Sequence, residues 1–471
     1  MKWKQESETI SELVHRHSVQ ILGKIGFCVP DPDTLARLKV AGFLVNEDTS
    51  MVRIPEELFQ PALETLPRNV TLYNRDRTEA IDFQARSSFM GAGTPVNVVD
   101  LETGERRSAT RQDVRKFVTL QDALPEVDIV RPTVTATDMG EASDLVEIAE
   151  LIRFTSKPLV HRTLAAERVS DAVEMLAAVA GGEDVLRAKP NFATLYCPIS
   201  PAYFTQENIR CMLRWAEFGV PVTLLSMAMG GASAPATLLG ELVVINLEIL
   251  AWMVVLQHLY PGTPLLYGSV SSVLDMRTGI LPLGAPERGM INSGAAIMGT
   301  YYGIPSMCGG LSTDAKDLDL QAGYEKALTA FPLLMEDASI IYGVGAVDAG
   351  AAISYLQMVM DNEMIGGLRR MMQGISLHDL TEELALIEAN IPRGNFLKEK
   401  HTRSHYKHHW QPQILNREAY ETWDSHRRDI KSLSRSKARD LLATHQPPSL
   451  PADVERELER ILRRHFNTVV V

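Results

Sequence analysis

Short apolar runs alternate with longer amphipathic stretches from about residue 87 to about residue 392. The runs are rich in Val, Ile and Leu and lack regular polar positions, which is typical of strands buried on both faces of a parallel sheet. The predicted strands cover residues 88–93, 127–134, 157–162, 191–196, 220–226, 264–269, 304–309 and 339–342. The helical period predicts helices at about 110–123, 142–155, 164–180, 203–218, 235–259, 285–302, 318–336 and 350–372.

This eightfold alternation predicts an α/β fold, a (β/α)8 TIM barrel that forms one domain over residues 87–392. An open doubly wound sheet is the alternative, and it is disfavoured because no Gly-x-Gly-x-x-Gly turn follows the first strand. Residues 95–107 contain the sequence Leu-Glu-Thr-Gly-Glu-Arg and predict a β-hairpin at the rim of the barrel.

The two flanking regions differ from this pattern. Residues 1–86 combine helical stretches with short strand-like runs and predict an N-terminal mixed α/β cap. Residues 393–471 predict a C-terminal helical extension, in which Pro447, Pro448 and Pro451 precede a final amphipathic helix at about 452–465. We expect this helix to pack on the body of the protein or on another subunit, and we expect a homo-oligomer.

Charge and composition exclude several classes of function. The formal net charge of -12 gives no electrostatic support for nucleic-acid binding. The most apolar window, Leu238 to Leu259, is interrupted by Glu241, Glu248 and other polar residues, so no membrane span is predicted. The N-terminus has no apolar signal core, and the four cysteines are too few for a disulfide framework. We therefore expect a reduced, cytoplasmic protein.

The connection after the seventh predicted strand is the most polar of the eight. Gly309 and Gly310 lead into Ser312, Thr313 and Asp314, and a helical pattern follows. Functional groups of a parallel barrel lie at the C-terminal ends of its strands, so this connection is expected at the functional face.

The other strand ends carry mainly glycine, serine, methionine and aromatic residues. They offer no carboxylate pair for hydrolysis, no Ser-His-Asp order and no cluster of His and Asp. Tyr196 and Tyr267 could line a site or could close the top of the barrel core. Arg131 could bind a substrate carboxylate or could pair with an acidic neighbour.

Metal binding remains open as an alternative. Zinc bound at Cys197, Cys308 or His161 would indicate a metal-dependent barrel lyase or hydrolase, although small buried cysteines are commoner. His401, His405 and His409 have the i, i+4 spacing of a metal-binding helix face but no carboxylate partner, so an exposed basic helix is favoured. We predict no metal site.

Several motifs, in the same order along nearly the whole chain, resemble the trimethylamine methyltransferase superfamily. They are residues 309–326 with Ser-Thr-Asp-Ala-Lys and Gly-Tyr-Glu-Lys, residues 229–250 with Gly-Gly-Ala-x-Ala-Pro, residues 343–363 with Gly-Val-Gly-Ala-Val-Asp, the turn at 155–158, and a C-terminal pattern at 401–402, 423 and 447–450.

The resemblance implies a barrel that moves a methyl group from a methylated amine to the Co(I) corrinoid (cobalamin) of a small partner protein, with no tightly bound cofactor of its own. Archaeal members that use trimethylamine carry pyrrolysine, and this chain has none. Many bacterial relatives also lack it, and characterised ones demethylate quaternary amines such as glycine betaine. The implied substrate is therefore a quaternary amine, glycine betaine or a related betaine.

The position of the candidate residues near strand ends, taken with the chemistry of a quaternary amine, suggests roles for them. Aromatic faces favour quaternary ammonium groups, and four rings lie near strand ends: Phe89, Tyr196, Tyr203 and Tyr267. A substrate carboxylate would need Arg131, His161 or groups near Ser226 and Ser312. Asp314 and Glu325 are the catalytic candidates, since they could favour the cation electrostatically, and Gln321 and Glu325 could instead only brace the loop. The remaining predicted substrate-binding residues are Met229, Ser269 and Gln321.

A non-catalytic protein that binds a methylamine is the third alternative. It would hold the ligand without transferring a methyl group, and the polar strand-end loops disfavour it only weakly.

Overall fold

In a computed structural model, which describes residues 6–83, 85–392 and 394–466, seven parallel strands form one curled sheet. Their order around the sheet is Ser88–Gly91, Ile340–Val344, Ser306–Gly309, Leu265–Ser269, Val222–Ser226, Phe192–Tyr196 and Leu159–His161. The two edge strands are joined through the remaining predicted run, since Ile129 pairs with Met90 and Val130 pairs with Leu159, both in parallel. The sheet therefore closes, and the predicted α/β barrel is confirmed.

The second barrel strand is much shorter than the predicted run of residues 127–134. Its ladder is limited to bridges at Ile129 and Val130. Pro132 has no N–H to donate, and Thr133 adopts a positive φ of 60°, so a regular ladder cannot continue beyond Arg131. The predicted strand at this position is therefore corrected to a pair of bridges that seal the barrel.

All eight predicted barrel helices are present. They are Arg111–Ala123, Ser143–Phe154, Glu167–Ala180, Gln206–Glu217, Leu238–Leu259, Pro286–Tyr302, Leu320–Met335 and Tyr355–Met372, with the short helix Glu183–Ala188 in addition. Several begin at caps that the sequence supplies at the C-terminal ends of the strands. Thr110 and Asp113 form a capping box, and the side chains of Thr205, Asp319 and Ser354 accept a hydrogen bond from a backbone N–H of the first turn.

The apolar core has two layers. The layer inside the barrel consists of alternate strand residues: Met90, Ile129, Val160, Ala193, Leu195, Leu225, Leu266, Met307 and Ile340. The layer between the strands and the helices holds the residues of opposite parity, including Phe89, Tyr196 and Tyr267. Because successive side chains of a strand point to opposite sides, this division also decides which strand-end residues can reach the mouth of the barrel.

The N-terminal region covers the N-terminal end of the barrel and one side of its helical layer. It contains helices Ser7–Lys24, Pro32–Val40 and Phe59–Glu64, the 3-10 turn Glu56–Leu58, and an antiparallel sheet of Phe27–Cys28, Met51–Arg53 and Leu44–Asn46. Helix Ser7–Lys24 packs on Leu238–Leu259. A hairpin of Leu72–Tyr73 and Ala80–Ile81 closes the N-terminal end of the barrel, where Leu72 joins the inner core layer.

The predicted rim hairpin is present as Asn97–Val99 and Arg106–Ser108. It extends into a small sheet with Ala352–Ser354 and Ala346–Val347, and a second small ladder pairs Met229–Gly230 with Ser272–Val273. Two further 3-10 turns, Thr137–Ala142 and Asp348–Gly350, lie in the connections around the mouth.

The C-terminal region is helical. Its helices are Thr381–Asn390, Lys400–His405, Tyr420–His426, Ile430–Thr444 and Ala452–Leu462, with 3-10 turns Phe396–Lys398 and Tyr406–His408. The last helix packs on the body of the same chain, against Glu167–Ala180 and Ser143–Phe154, and buries Leu458, Ile461 and Leu462. Domain boundaries at residues 86 and 392 stay predictions.

Within the described ranges, one helix is long and apolar enough to cross a bilayer, Leu238–Leu259. Its most apolar window is 78% buried inside the fold, as expected for the core helix of a barrel.

Candidate functional site

The strand ends bring a distinct set of side chains into the mouth of the barrel. These residues stand two positions beyond members of the inner core layer and therefore share their direction. They are Arg131, Arg162, Cys197, Met227, Gly309 and Tyr342. Cys197 and Tyr342 pack directly on the inner layer, which supports this assignment.

Arg131 is buried in the mouth without an acidic partner. Its side chain is 3% exposed, its Nε has no hydrogen-bond partner, and no carboxylate of the described chain lies within ion-pair distance. The guanidinium carbon lies 5.3 Å from the centroid of the Tyr342 ring. Burial lowers the pKa of Arg131, and the positive charge of Arg162 close by acts in the same direction.

A second buried arginine reaches the mouth from helix Pro286–Tyr302. Arg288 Nη1 donates to the carbonyl oxygen of Val270 at 2.7 Å, and Nε donates to Ser312 Oγ at 3.1 Å. Burial lowers the pKa of Arg288 to about 10. Tyr342 and Asp314 raise this pKa through their charge alone, without a hydrogen bond to the guanidinium. A β-carbon at Gly309 would lie 2.4 Å from Arg288 Nη2, so the guanidinium fills the space that a side chain at position 309 would take.

The rim of the mouth is apolar and exposed. Large hydrophobic side chains stand on the connections that follow several strands: Val96, Leu164, Ile199, Met227, Met276 and Ile280. Met276 is 77% exposed and Ile199 is 56% exposed. All six side chains stand on connections at the C-terminal ends of the strands, the face at which the functional groups of a barrel lie.

Three of the predicted substrate-binding rings lie on the helix side of the strands. Tyr196 Oη shares a hydrogen bond with Thr163 Oγ1 at 3.0 Å, and Tyr267 Oη donates to Asn246 Oδ1 at 3.0 Å. The Phe89 ring lies beneath the guanidinium of Arg369 at 5.2 Å. The structure does not bring these rings together at the mouth, because their strand positions have the opposite parity to the inner layer.

Three predicted polar residues share this outward direction. His161 Nε2 lies 2.8 Å from Glu147 Oε2 without hydrogen-bond geometry, and His161 Nδ1 has no partner. Ser226 Oγ donates to Glu248 Oε2 at 2.6 Å. Ser269 Oγ donates to Ser271 Oγ at 3.1 Å, which fixes the turn after the sixth strand.

Tyr203 and Met229, two further predicted substrate-binding residues, lie half-buried in the loops that follow the strands. Tyr203 pairs through its backbone with Ile199 and Cys28, so it joins the loop after the fourth strand to the N-terminal region. Met229 pairs with Ser272 in the short ladder between the loops after the fifth and sixth strands. Both lie in connections above the strands, apart from the inward-facing set.

The polar connection after the seventh strand is held by Glu325. The Glu325 carboxylate accepts hydrogen bonds from Thr313 Oγ1 at 2.6 Å and from the backbone N–H of Asp314 at 2.8 Å. Gln321 Nε2 donates to the same carboxylate at 2.9 Å. Glu325 and Gln321 thus brace the loop from the following helix, which is the second of the two roles expected for them.

Asp314 binds the neighbouring loop. Its carboxylate accepts the backbone N–H groups of Leu283 at 2.7 Å and Gly284 at 3.1 Å, and burial raises its pKa. Ser312 lies deeper, where it accepts the hydrogen bond from Arg288 and donates to the carbonyl oxygen of Gly310. Ser312 is therefore the predicted residue of this loop that contacts the guanidinium of Arg288 in the mouth.

A buried ion pair that the sequence did not suggest supports the same loop. Lys326 Nζ donates to Asp361 Oδ2 and to the carbonyl oxygen of Leu311, each at 2.8 Å. Asp361 Oδ2 also accepts the N–H of Gly345 at 2.7 Å. Burial lowers the pKa of Lys326 and raises that of Asp361, yet the mutual attraction keeps the pair together. The pair joins the ends of the seventh and eighth strands.

The described ranges contain no group of three or more His, Cys, Asp and Glu side chains arranged to hold a metal ion. Cys308 lies in the outer core layer, and burial raises the pKa of its thiol to about 12. Burial also raises the pKa of Cys197. Burial thus favours the neutral thiol form of both cysteines.

Comparison with known proteins identifies the family. A sequence profile of the trimethylamine methyltransferase (MTTB) family matches residues 3–469. The chain is 33% identical to a trimethylamine methyltransferase of Desulfitobacterium hafniense, covering 95% of this chain and 91% of the relative. It is 29% identical to a glycine betaine methyltransferase of the same species, covering 97% and 96%.

A solved structure agrees with the fold. The crystal structure of the Methanosarcina barkeri monomethylamine methyltransferase superposes with a TM-score of 0.51 at 14% identity, covering 92% of each chain. The chain therefore belongs to the trimethylamine methyltransferase (MTTB) family and is a methyltransferase.

Proposed function

We propose that this methyltransferase moves a methyl group from a carboxylated quaternary amine to the corrinoid of a partner protein. The donor would be glycine betaine or a relative such as carnitine, proline betaine or γ-butyrobetaine. The observation that carries this proposal is the pair of buried arginines, Arg131 and Arg288, which face the mouth without an ion-pair partner in the described chain.

Buried charges without a partner are costly, and an anionic ligand would offset that cost. A carboxylate matches the planar guanidinium of arginine and accepts two parallel hydrogen bonds from it. Trimethylamine is protonated at neutral pH and has no anionic group. Placed about 4 Å from Arg131, such a cation would be repelled by about 4 kcal/mol at an effective dielectric constant of about 20.

The chemistry of a quaternary amine suits the remainder of the mouth. Loss of a methyl group from a quaternary ammonium leaves a neutral tertiary amine, so no acid has to protonate the leaving group. Correspondingly, none of the six inward-facing strand-end residues is acidic. The ring of Tyr342 and the sulfur atoms of Cys197 and Met227 offer polarisable surfaces for the methyl groups.

The partner's corrinoid would supply the Co(I) nucleophile. The residues of this chain would hold the donor by its carboxylate, direct one methyl outward and exclude water. The exposed apolar rim around the mouth, with Ile199, Met227 and Met276, has the character expected where a second protein docks.

The experiment is methyl transfer to a reduced corrinoid protein, followed by the loss of the Co(I) absorption. The amines to compare are glycine betaine, carnitine, proline betaine, γ-butyrobetaine, trimethylamine and tetramethylammonium. We expect turnover with at least one carboxylated quaternary amine and little with the last two. Turnover confined to trimethylamine, with the same corrinoid protein competent, would reject the proposed donor class.

A further inference from the structure

A third arginine faces the mouth of the barrel without a partner among the described residues. Arg162 stands two positions beyond Val160 of the inner core layer, so it points inward at the end of the third strand. Its side chain takes part in no ion pair and no hydrogen bond of the chain that the structure describes. Arg162 is half-buried, and recognition of one carboxylate by Arg131 and Arg288 leaves it without a role.

Arg162 lies close to Arg131. The two side chains stand at the ends of neighbouring strands, which are joined by the parallel bridge of Val130 with Leu159. Burial lowers the pKa of Arg131, and the charge of Arg162 lowers it further. Both positive charges also act on the thiol of Cys197 at the end of the next strand. Burial raises the pKa of that thiol and favours its neutral form, so Cys197 offsets neither charge.

Two acidic side chains act on the mouth through their charge, and both are held by other donors. Asp314 acts on Arg288, and its carboxylate accepts two backbone N–H groups of a neighbouring loop. Glu248 acts on Cys197, and its carboxylate accepts the hydroxyl of Ser226 at 2.6 Å and a backbone N–H at 2.9 Å. Within the described residues, neither carboxylate lies within ion-pair distance of an arginine of the mouth. The mouth therefore keeps an excess of positive charge.

A betaine with one carboxylate leaves this excess unchanged. Its carboxylate offsets one guanidinium, but its quaternary ammonium brings a positive charge of its own, so the donor is neutral as a whole. The guanidiniums of Arg131 and Arg162 together also carry more N–H donors than one carboxylate can accept. A donor with a second anionic group meets both needs, because it brings a further negative charge and further acceptors.

The rim next to Arg162 favours a ligand inside the mouth over an acidic group of the partner protein. Leu164 follows Arg162 by two positions and is 44% exposed, and Ile199 on the next connection is 56% exposed. An acidic group of a docked protein would have to pass these apolar side chains and lose its water before it reached Arg162. An anionic group of the donor already lies on the inner side of the rim.

We propose that Arg162 binds a second anionic group of the methyl donor, which is then a quaternary ammonium compound with two negative charges. A dicarboxylated betaine, such as the N-trimethyl derivative of glutamate, belongs to this class. Arg162 holds the second carboxylate beside the one that Arg131 binds. The inference rests on the proposed function, since it specifies the anionic part of the same donor.

The test is calorimetric titration of the full chain with two amines that differ in charge but hardly in shape, N,N,N-trimethylglutamate and N,N,N-trimethylglutamine. We expect the native chain to bind the glutamate derivative about 10-fold or more tightly. Arg162→Met should remove most of this preference, leave the affinity for the glutamine derivative nearly unchanged and keep the melting temperature, because Arg162 has no partner to lose. Arg214→Met is the matched control and should keep the preference, since Arg214 is 39% exposed on helix Gln206–Glu217 and pairs with Glu217.

Two results would overturn the proposal. One is a native chain that binds the glutamate derivative no more tightly than the glutamine derivative, or binds neither. The other is an Arg162→Met variant that keeps the native preference; a higher KM for the corrinoid protein in that variant would assign Arg162 to the partner instead. The expected binding without methyl transfer to a corrinoid protein would contradict the proposed function alone, so the two failures are distinguishable.

Discussion

Replacing Arg131 with methionine should make the protein more stable and less active at the same time. Methionine has a similar length and no charge, so it fills the site without an unpaired buried guanidinium. Removing that buried charge recovers a desolvation cost of several kcal/mol, and losing the contact with Tyr342 costs about 1 kcal/mol. The net effect on the free energy of unfolding is a gain on the order of 1–3 kcal/mol.

The same change removes the group proposed to bind the substrate carboxylate. Loss of one partner from a buried, charged hydrogen-bonded pair costs about 2–4 kcal/mol, which is about 30- to 800-fold in kcat/KM. The assays are calorimetric melting of the free enzyme and methyl transfer from the best betaine. Methyl transfer should decline while the melting temperature rises.

Arg168→Met is the matched control, because Arg168 is also largely buried but pairs with the buried Asp144 at 3.0 Å. Its loss leaves Asp144 unpaired, so the control should melt at a lower temperature and keep its kcat/KM at permissive temperature. The reasoning is refuted if Arg131→Met melts below the native protein, or if its kcat/KM with betaine stays within about 3-fold of native.

Three further predictions concern the mouth, its support and pH. Gly309→Ala should raise KM for the betaine about 10-fold or more, because the new β-carbon would stand 2.4 Å from Arg288 Nη2; unchanged kinetics would contradict this. Lys326→Met should lower the free energy of unfolding by about 3–5 kcal/mol in denaturant titrations, since Asp361 is left buried and unpaired, and a cost below about 1 kcal/mol would argue against it. Burial raises the pKa of Glu241 to about 8, so the folded protein keeps a proton on this carboxyl at pH values where the unfolded chain has already released it. The free energy of unfolding should therefore fall as pH rises from about 5 to 8, and Glu241→Gln should flatten that slope.

The barrel could be predicted from the sequence because its signal is repeated. Eight apolar runs separated by helical stretches admit few folds, and each boundary is set by local features such as the Thr110 capping box. The second strand was predicted too long, because the apolar run 127–134 continues past Pro132 and the sequence does not show the positive φ of Thr133, which ends the ladder together with Pro132.

The direction of the strand-end side chains was harder to predict. A shift of one residue along a strand turns a side chain from the mouth to the helix layer, and the ends of the runs do not fix that register. The predicted site residues Tyr196, Tyr267 and Ser226 therefore proved to face the helices, whereas Arg131 faces the mouth. The signal that could have found Arg162 and Tyr342 is their two-residue spacing from Val160 and Ile340, once those residues are assigned to the inner layer.

Arg288 could not be inferred from strand patterns at all. It lies on a helix and enters the mouth only because Gly309 leaves room for it. The Lys326–Asp361 pair is equally hidden, since 35 residues separate its members along the chain. Contacts between distant segments of this kind require the fold before they can be recognised.

The central claim is that the arginines of the mouth select a donor that carries a carboxylate. The most direct measurement is the ratio of kcat/KM for glycine betaine, or whichever betaine is best, to kcat/KM for tetramethylammonium, which is also a quaternary methylammonium cation but has no carboxylate. The account predicts a ratio of about 100 or more, corresponding to about 3 kcal/mol of carboxylate recognition. A ratio near one would contradict it.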